Sequence, residues 1–117
     1  MSDTIQAKSQ EGCNQAEDYS LCNHFINAFS IIGKKWNGLI ISSLCDTQEM
    51  RFKDLARCIS KCSDRVLVER LKELENLDIV KRTVNDETGI ISYTLTAKGS
   101  ELKPVFDSVH DWADKWE

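Results

Sequence analysis

Beyond residue 20, large apolar residues recur mostly at helical spacing, and the pattern turns strand-like only once. Phe25, Ala28, Phe29 and Ile32 fall at i, i+3, i+4 and i+7, and Gly33 stops that stripe as a helix C-terminal glycine would. Trp36, Leu39, Ile40 and Leu44 form a second stripe, ending near Cys45 and Asp46. After the short segment Glu49–Arg51, the same spacing returns in Phe52, Leu55, Ala56 and Ile59. Ser63 then offers a hydroxyl to the free N–H groups of a new helix, so it is expected as an N-cap. That helix carries Leu67, Leu71 and Leu74 on one face and Arg65, Val68, Glu69 and Lys72 on the other.

From Ile79 the residues become β-branched. Ile79–Val84 and Ile90–Leu95 read as strands, and Asn85-Asp86-Glu87-Thr88-Gly89 between them has turn chemistry, so a β-hairpin is expected. Thr96 is expected to cap a long last helix, with Leu102, Val105, Phe106, Val109, Trp112, Ala113 and Trp116 on its apolar stripe and Pro104 near its start. Residues 1–19 are polar and read as a flexible arm, leaving 20–117 as one domain. The predicted class is mainly α (α+β). Helices at 52–59 and 63–76 followed by a two-stranded wing at 80–94 follow the plan of a winged helix-turn-helix, in which the second helix of the pair enters the major groove of DNA.

Composition adds bounds to this picture. At 117 residues, 41% apolar and 29% charged, the chain fits one ordinary globular domain. No run is apolar enough to span a bilayer, and the first twenty residues lack the apolar block of a signal peptide, so a cytoplasmic location is expected. The net charge of −4 hides an uneven distribution: residues 1–20 carry −3, residues 21–62 carry +3, and residues 100–117 carry −3. A basic face on an acidic protein is therefore available. Five cysteines (Cys13, Cys22, Cys45, Cys58 and Cys62) are an odd number in a reducing compartment, which leaves buried thiols, metal ligands or redox-reactive thiols. With His24 and His110 as the two histidines and no CxxC pair, zinc is weakly signalled, and no metal or cofactor is expected.

Residues 22–116 resemble the HxlR-type winged-helix regulators of bacteria. The resemblance is carried by Cys22, by Ile32-Gly33-Lys34-Lys35-Trp36-Asn37-Gly38-Leu39-Ile40-Ile41, by Arg51-Phe52-Lys53-Asp54-Leu55, and by Ser63 through Arg70-Leu71-Lys72-Glu73-Leu74-Glu75. Tyr93-Thr94-Leu95-Thr96-Ala97-Lys98-Gly99 and Trp112-Ala113-Asp114 complete it. It is closest to the branch that senses quinones, aldehydes or oxidants through cysteine. The resemblance implies a homodimer built from the first and last helices, bound to double-stranded operator DNA, and the apolar stripe ending in Trp112 and Trp116 fits such an interface.

The DNA candidates are Ser63, Asp64, Arg65 and Glu69 near bases, with Lys35, Arg51, Lys53, Lys72 and Arg82 on phosphates. Two departures from the family matter. The wing tip is acidic, with no base between Arg82 and Lys98, so Lys81 and Arg82 at the wing base are the better phosphate candidates. Asp64 stands where relatives often carry Gln, and a carboxylate can accept from cytosine N4 but repels phosphate.

In the redox-sensing branch a cysteine at the place of Cys22 is the sensor thiol. At a helix start its thiolate would be stabilised by backbone N–H groups and the helix dipole, and would react with electrophiles and peroxides. Cys45, Cys58 and Cys62 are its candidate partners, and Cys13 reads as accessory. The expected function is thus a dimeric regulator, a repressor in this reading, whose operator binding is switched by modification of Cys22. The alternatives are a winged-helix regulator that responds to a metal or small ligand, a non-redox regulator, and a protein–protein adaptor that does not bind DNA. An enzyme is not expected, because no nucleophile–base constellation, phosphate loop or paired carboxylates stand in a recognisable context.

Overall fold

The computed structural model describes residues 22–117, so the expected arm at 1–19, with Cys13, lies outside the described residues. The chain divides into two compact units between Lys34 and Lys35. The first holds α1 (Asn23–Ile32), which starts where the Cys22 carbonyl accepts the Ile26 N–H at 3.0 Å and ends at Gly33. Phe25 and Phe29 meet on its surface in a tilted arrangement, with ring centroids 5.4 Å apart. None of its residues is buried within the chain.

The second unit runs α2 (Asn37–Thr47), β1 (Glu49–Arg51), α3 (Phe52–Cys58), α4 (Asp64–Asn76), β2 (Val80–Val84), β3 (Ile91–Leu95), α5 (Ala97–Ser100) and α6 (Lys103–Trp116). Its core gathers Ile40, Ile41 and Leu44 from α2, Leu55 and Ile59 from α3 and its end, Leu67, Leu71 and Leu74 from α4, and Met50, Ile79, Val80 and Tyr93 from the sheet region.

Three expectations are corrected. The second helix begins at Asn37, because Trp36 is its N-cap in left-handed conformation at φ 80°. Its buried face is therefore Asn37, Ile40, Ile41 and Leu44, while Leu39 is exposed. Both sets satisfy helical spacing, and the consecutive apolar residues Leu39, Ile40 and Ile41 left the phase open.

The sheet has three strands in the order β1-β3-β2, all antiparallel. The expected wing hairpin pairs Val80 with Leu95 through Val84 with Ile91, and β1 adds Glu49 opposite Thr94 and Arg51 opposite Ser92.

Finally, Thr96 caps the four-residue α5 instead of the long helix, accepting the Gly99 N–H at 3.0 Å. The long helix α6 starts afresh at Lys103, with Pro104 in its first turn, where a missing N–H costs least.

What fixes α5 is its docking on the α4–β2 joint. Asp78 closes α4 at φ 61°, allowing Ile79 N–H to reach back to the Leu74 carbonyl at 2.9 Å. The Ile79 carbonyl then accepts the Thr96 N–H at 3.0 Å, and Thr96 Oγ1 donates to the Asp78 carbonyl at 2.6 Å. Lys98 Nζ caps the Leu77 carbonyl at 2.8 Å. Gly99 packs so closely on Ile79 that a Cβ would overlap the Ile79 carbonyl oxygen.

Candidate nucleic-acid interface

Helix α3 is launched by Asp54 in its first turn, whose carboxylate accepts the Arg51 N–H at 3.3 Å. The chain turns between Ile59 and Cys62, where the Cys62 N–H donates to the Ile59 carbonyl at 2.9 Å. Cys62 is buried in that turn and fills space as a small apolar residue. Ser63 then caps α4, its Oγ accepting the Val66 N–H at 3.2 Å.

Because Leu67, Leu71 and Leu74 hold one face of α4 in the core, Arg65, Val68, Glu69 and Lys72 stand together on the exposed face. Arg65 Nε lies 3.8 Å from Glu69 Oε2, one helical turn away. Next to this face, Val68, Leu71 and Lys72 of α4, with Glu75, Arg82 and Tyr93, line a cleft of about 250 Å³ between the helix and the base of the wing.

The wing tip is a tight turn: Asn85 Oδ1 accepts the N–H groups of Glu87 at 2.9 Å and Thr88 at 3.0 Å. Gly89 completes it at φ 73°. Asp86 and Glu87 are exposed there.

The structure brings some of the DNA candidates of the sequence together and leaves others apart. Ser63, Asp64, Arg65, Glu69 and Lys72 come together on α4, and Arg82 stands across the cleft from Lys72. Lys53 is exposed on α3. Arg51 is partly neutralised, since its Nε lies 3.7 Å from the Asp54 carboxylate, which also faces Arg57 at 3.8 Å. Lys35 lies over the Trp36 ring, 5.0 Å from its centroid. The sequence pattern places Val68 on the outer face of α4 without marking it out; its 38% exposure in the middle of that face is a signal that only the fold supplies.

The four described cysteines carry free thiols. Cys22 is the exposed N-cap residue of α1, and its side chain makes no capping hydrogen bond. Cys58, the last residue of α3, is exposed as well. Burial raises the Cys62 thiol above the ordinary value of 9.0, with Arg70 pulling the other way. Burial likewise raises Cys45, partly offset by the charge of Lys103. Among the described residues no three His, Cys, Asp or Glu side chains converge as metal ligands, and no helix is long and apolar enough to cross a membrane.

A helix pair joined by a tight turn, with its second helix presenting a polar face beside a hairpin, defines a winged helix-turn-helix protein. The chain belongs to the HxlR-like helix-turn-helix family, whose model matches residues 31–117. It is 46% identical over 98 residues to the HTH-type transcriptional regulator YodB of Bacillus subtilis (strain 168), covering 83% of this chain and 87% of YodB. The reduced form of YodB superposes with a TM-score of 0.73 at 46% identity, over 82% of this chain and 94% of that one. The quinone-bound form of YodB does so with a TM-score of 0.70 at 46% identity, over 82% and 100%.

Proposed function

We propose that this protein is a dimeric DNA-binding transcription regulator, not an enzyme, whose operator binding is switched by modification of Cys22. The observation that carries the DNA reading is the exposed face of α4, where Arg65, Glu69 and Lys72 project from a helix whose opposite side is fixed in the core. Two copies would place two such helices in successive major-groove half-sites about 34–36 Å apart. The second copy has apolar surface to cover: Val105 (43% exposed), Val109 (56%), Trp112 (60%) and Trp116 (64%) form one stripe of α6. On α1, Phe25, Ile26 and Phe29 are exposed too. Stripes of this kind are costly in water and are the ordinary material of subunit interfaces.

Similarity to a regulator with a quinone-bound form supports the switch at Cys22. An exposed thiol at the start of a helix can add to a quinone, the carbon–sulfur bond replacing the ring C=C π bond; the thiol proton passes to one ring oxygen and the proton of the attacked ring carbon to the other as the ring becomes a hydroquinone. An oxidant such as diamide would instead join Cys22 to a second thiol, both thiols losing their protons and the diamide becoming the hydrazine. Exposure favours Cys58 for that role over half-buried Cys45 and buried Cys62, whose thiols burial raises. Either modification at a subunit interface would change how the two α4 helices are spaced.

The test measures binding of the full chain to DNA from its own upstream promoter, reduced and then treated with diamide or a quinone, with Cys22→Ser alongside. Tight reduced binding, lost on treatment and kept by Cys22→Ser, is the expected result. Binding indifferent to treatment would refute the switch and leave the DNA reading standing.

A further inference from the structure

We propose that Val68 is a specificity-determining residue that reads the C5-methyl group of a thymine in each operator half-site. This rests on the DNA-binding reading above and goes beyond it by assigning one base contact to one side chain. The exposed apolar residues of the described chain cluster elsewhere: on α1, on α6, at Leu39, and in Val84 and Ile90 beside the wing turn. On α4 the exception is Val68, 38% exposed while Leu67 and Leu71 on either side in the sequence of the stripe are fully covered.

Its position is specific. It lies on the second turn of α4, three residues after Arg65, one before Glu69 and four before Lys72, so a charged side chain flanks it on each side along the helix. Residues in the first turns of a helix in the major groove reach base edges, whereas later ones meet the backbone. Among base edges in that groove, the thymine methyl is the one apolar group, and a branched aliphatic side chain is its natural contact.

The neighbours agree with this assignment. Arg65 Nε lies 3.8 Å from Glu69 Oε2, one helical turn on, and Val68 keeps 38% of its surface open beside this pair. On the other side the surface falls into the cleft lined by Lys72, Glu75, Arg82 and Tyr93, whose two cations suit the phosphates flanking a base that Val68 touches. Neither Lys72 nor Arg82 is engaged in an ion pair among the described residues.

The experiment uses reduced full-length protein and duplexes carrying its promoter footprint, in which each thymine is replaced in turn by deoxyuridine, which lacks only the methyl. For the wild type, one thymine per half-site should stand out, its replacement weakening binding about fourfold, the value of one buried methyl group. Val68→Ala should bind the thymine duplex about as weakly as the wild type binds the deoxyuridine duplex, and should no longer distinguish the two. Val68→Thr, which keeps one methyl, should retain part of the discrimination. Val68 lies outside the fully covered set of Leu67, Leu71 and Leu74, and urea unfolding of each variant checks that the fold is kept. If no thymine stands out, or if Val68→Ala discriminates at the same thymine as strongly as the wild type, the assignment is overturned. If the wild type shows no salt-dependent binding to any duplex, the DNA-binding reading itself falls, and the assignment with it.

Discussion

Gly99→Ala puts the joint between recognition helix and wing under direct test. The added Cβ would overlap the Ile79 carbonyl oxygen and lie 3.2 Å from both the carbonyl carbon and Cγ2 of Ile79. The obstacle is backbone, which cannot rotate away, so Ile79 or α5 must move. Overpacking of this kind costs roughly 1–3 kcal/mol. The same Ile79 oxygen accepts the Thr96 N–H at 3.0 Å and Thr96 Oγ1 at 3.2 Å, and each bond strained by the shift adds up to about 1 kcal/mol. Against this, alanine gains about 1 kcal/mol over glycine in a helix. The net expectation, at the middle of these ranges, is a loss of about 2 kcal/mol, which is roughly 8–16 °C in Tm for a domain of this size.

The assay is urea unfolding followed by circular dichroism at one fixed protomer concentration, since dimerisation makes the midpoint concentration-dependent. Gly89→Ala is the comparison: its Cβ meets open space, but φ 73° costs a non-glycine residue about 1 kcal/mol. Gly99→Ala should therefore be clearly the worse of the two. A Gly99→Ala protein within about 0.5 kcal/mol of wild type would refute the packing described for α5.

Ser63→Ala removes the side-chain cap of α4 and should cost about 1 kcal/mol in the same assay, with a larger proportional loss of operator affinity because the freed turn carries Asp64 and Arg65. Lys72→Ala and Arg82→Ala should each lower the slope of log affinity against log salt by about one per protomer, whereas Lys98→Ala, whose ammonium caps the Leu77 carbonyl, should leave the slope unchanged. Cys22 and Cys58 should be alkylated by iodoacetamide before Cys45, with Cys62 last, as read by peptide mass spectrometry. The Cys62 thiol is raised in the folded state, so the stability that its neutral form contributes is fully present below pH 9.0 and is lost as pH rises through the folded value. Wild type should then weaken as pH rises above 9.0 in urea unfolding more than Cys62→Ala does.

The parts of the fold legible in the sequence are those determined over a few residues. Ser63 followed by Leu67, Leu71 and Leu74 specifies a capped amphipathic helix without any tertiary help, and Asn85 with Gly89 specifies the wing turn through contacts no more than four residues apart. What escaped was determined at a distance. Three residues, Glu49–Arg51, have too little pattern to declare a strand, and they become one because β3, more than forty residues later, offers an edge. Thr96 is a cap, as the sequence predicts, but the helix it caps is cut to Ala97–Ser100 by docking on Ile79, a contact seventeen residues back. For the interface, the sequence identified the charged members of α4 because charges advertise themselves. Val68 acquires its meaning only when Leu67 and Leu71 are seen to be buried and Val68 is not.

The distribution of ion pairs bears on how an acidic protein would hold DNA. Of the cations on the helix-turn-helix and wing, Arg51 and Arg57 share Asp54, Arg65 is held by Glu69 and Arg70 by Glu73. Lys53, Lys61, Lys72, Lys81 and Arg82 remain outside any ion pair among the described residues, on surface that is exposed. Cations already paired displace fewer counterions when they meet phosphate, so the salt dependence of binding should be set by these few and be shallower than the count of lysines and arginines suggests. The acidic wing tip subtracts further, since Asp86 and Glu87 are fixed at the end of the hairpin by the Asn85 turn and would be repelled by a phosphate there. With less affinity available from the backbone, a larger share must come from base edges. That places the discriminating work on the first two turns of α4, where Asp64, Arg65, Val68 and Glu69 stand, and makes the spacing of two such helices, which modification of Cys22 is proposed to alter, a sensitive control on binding.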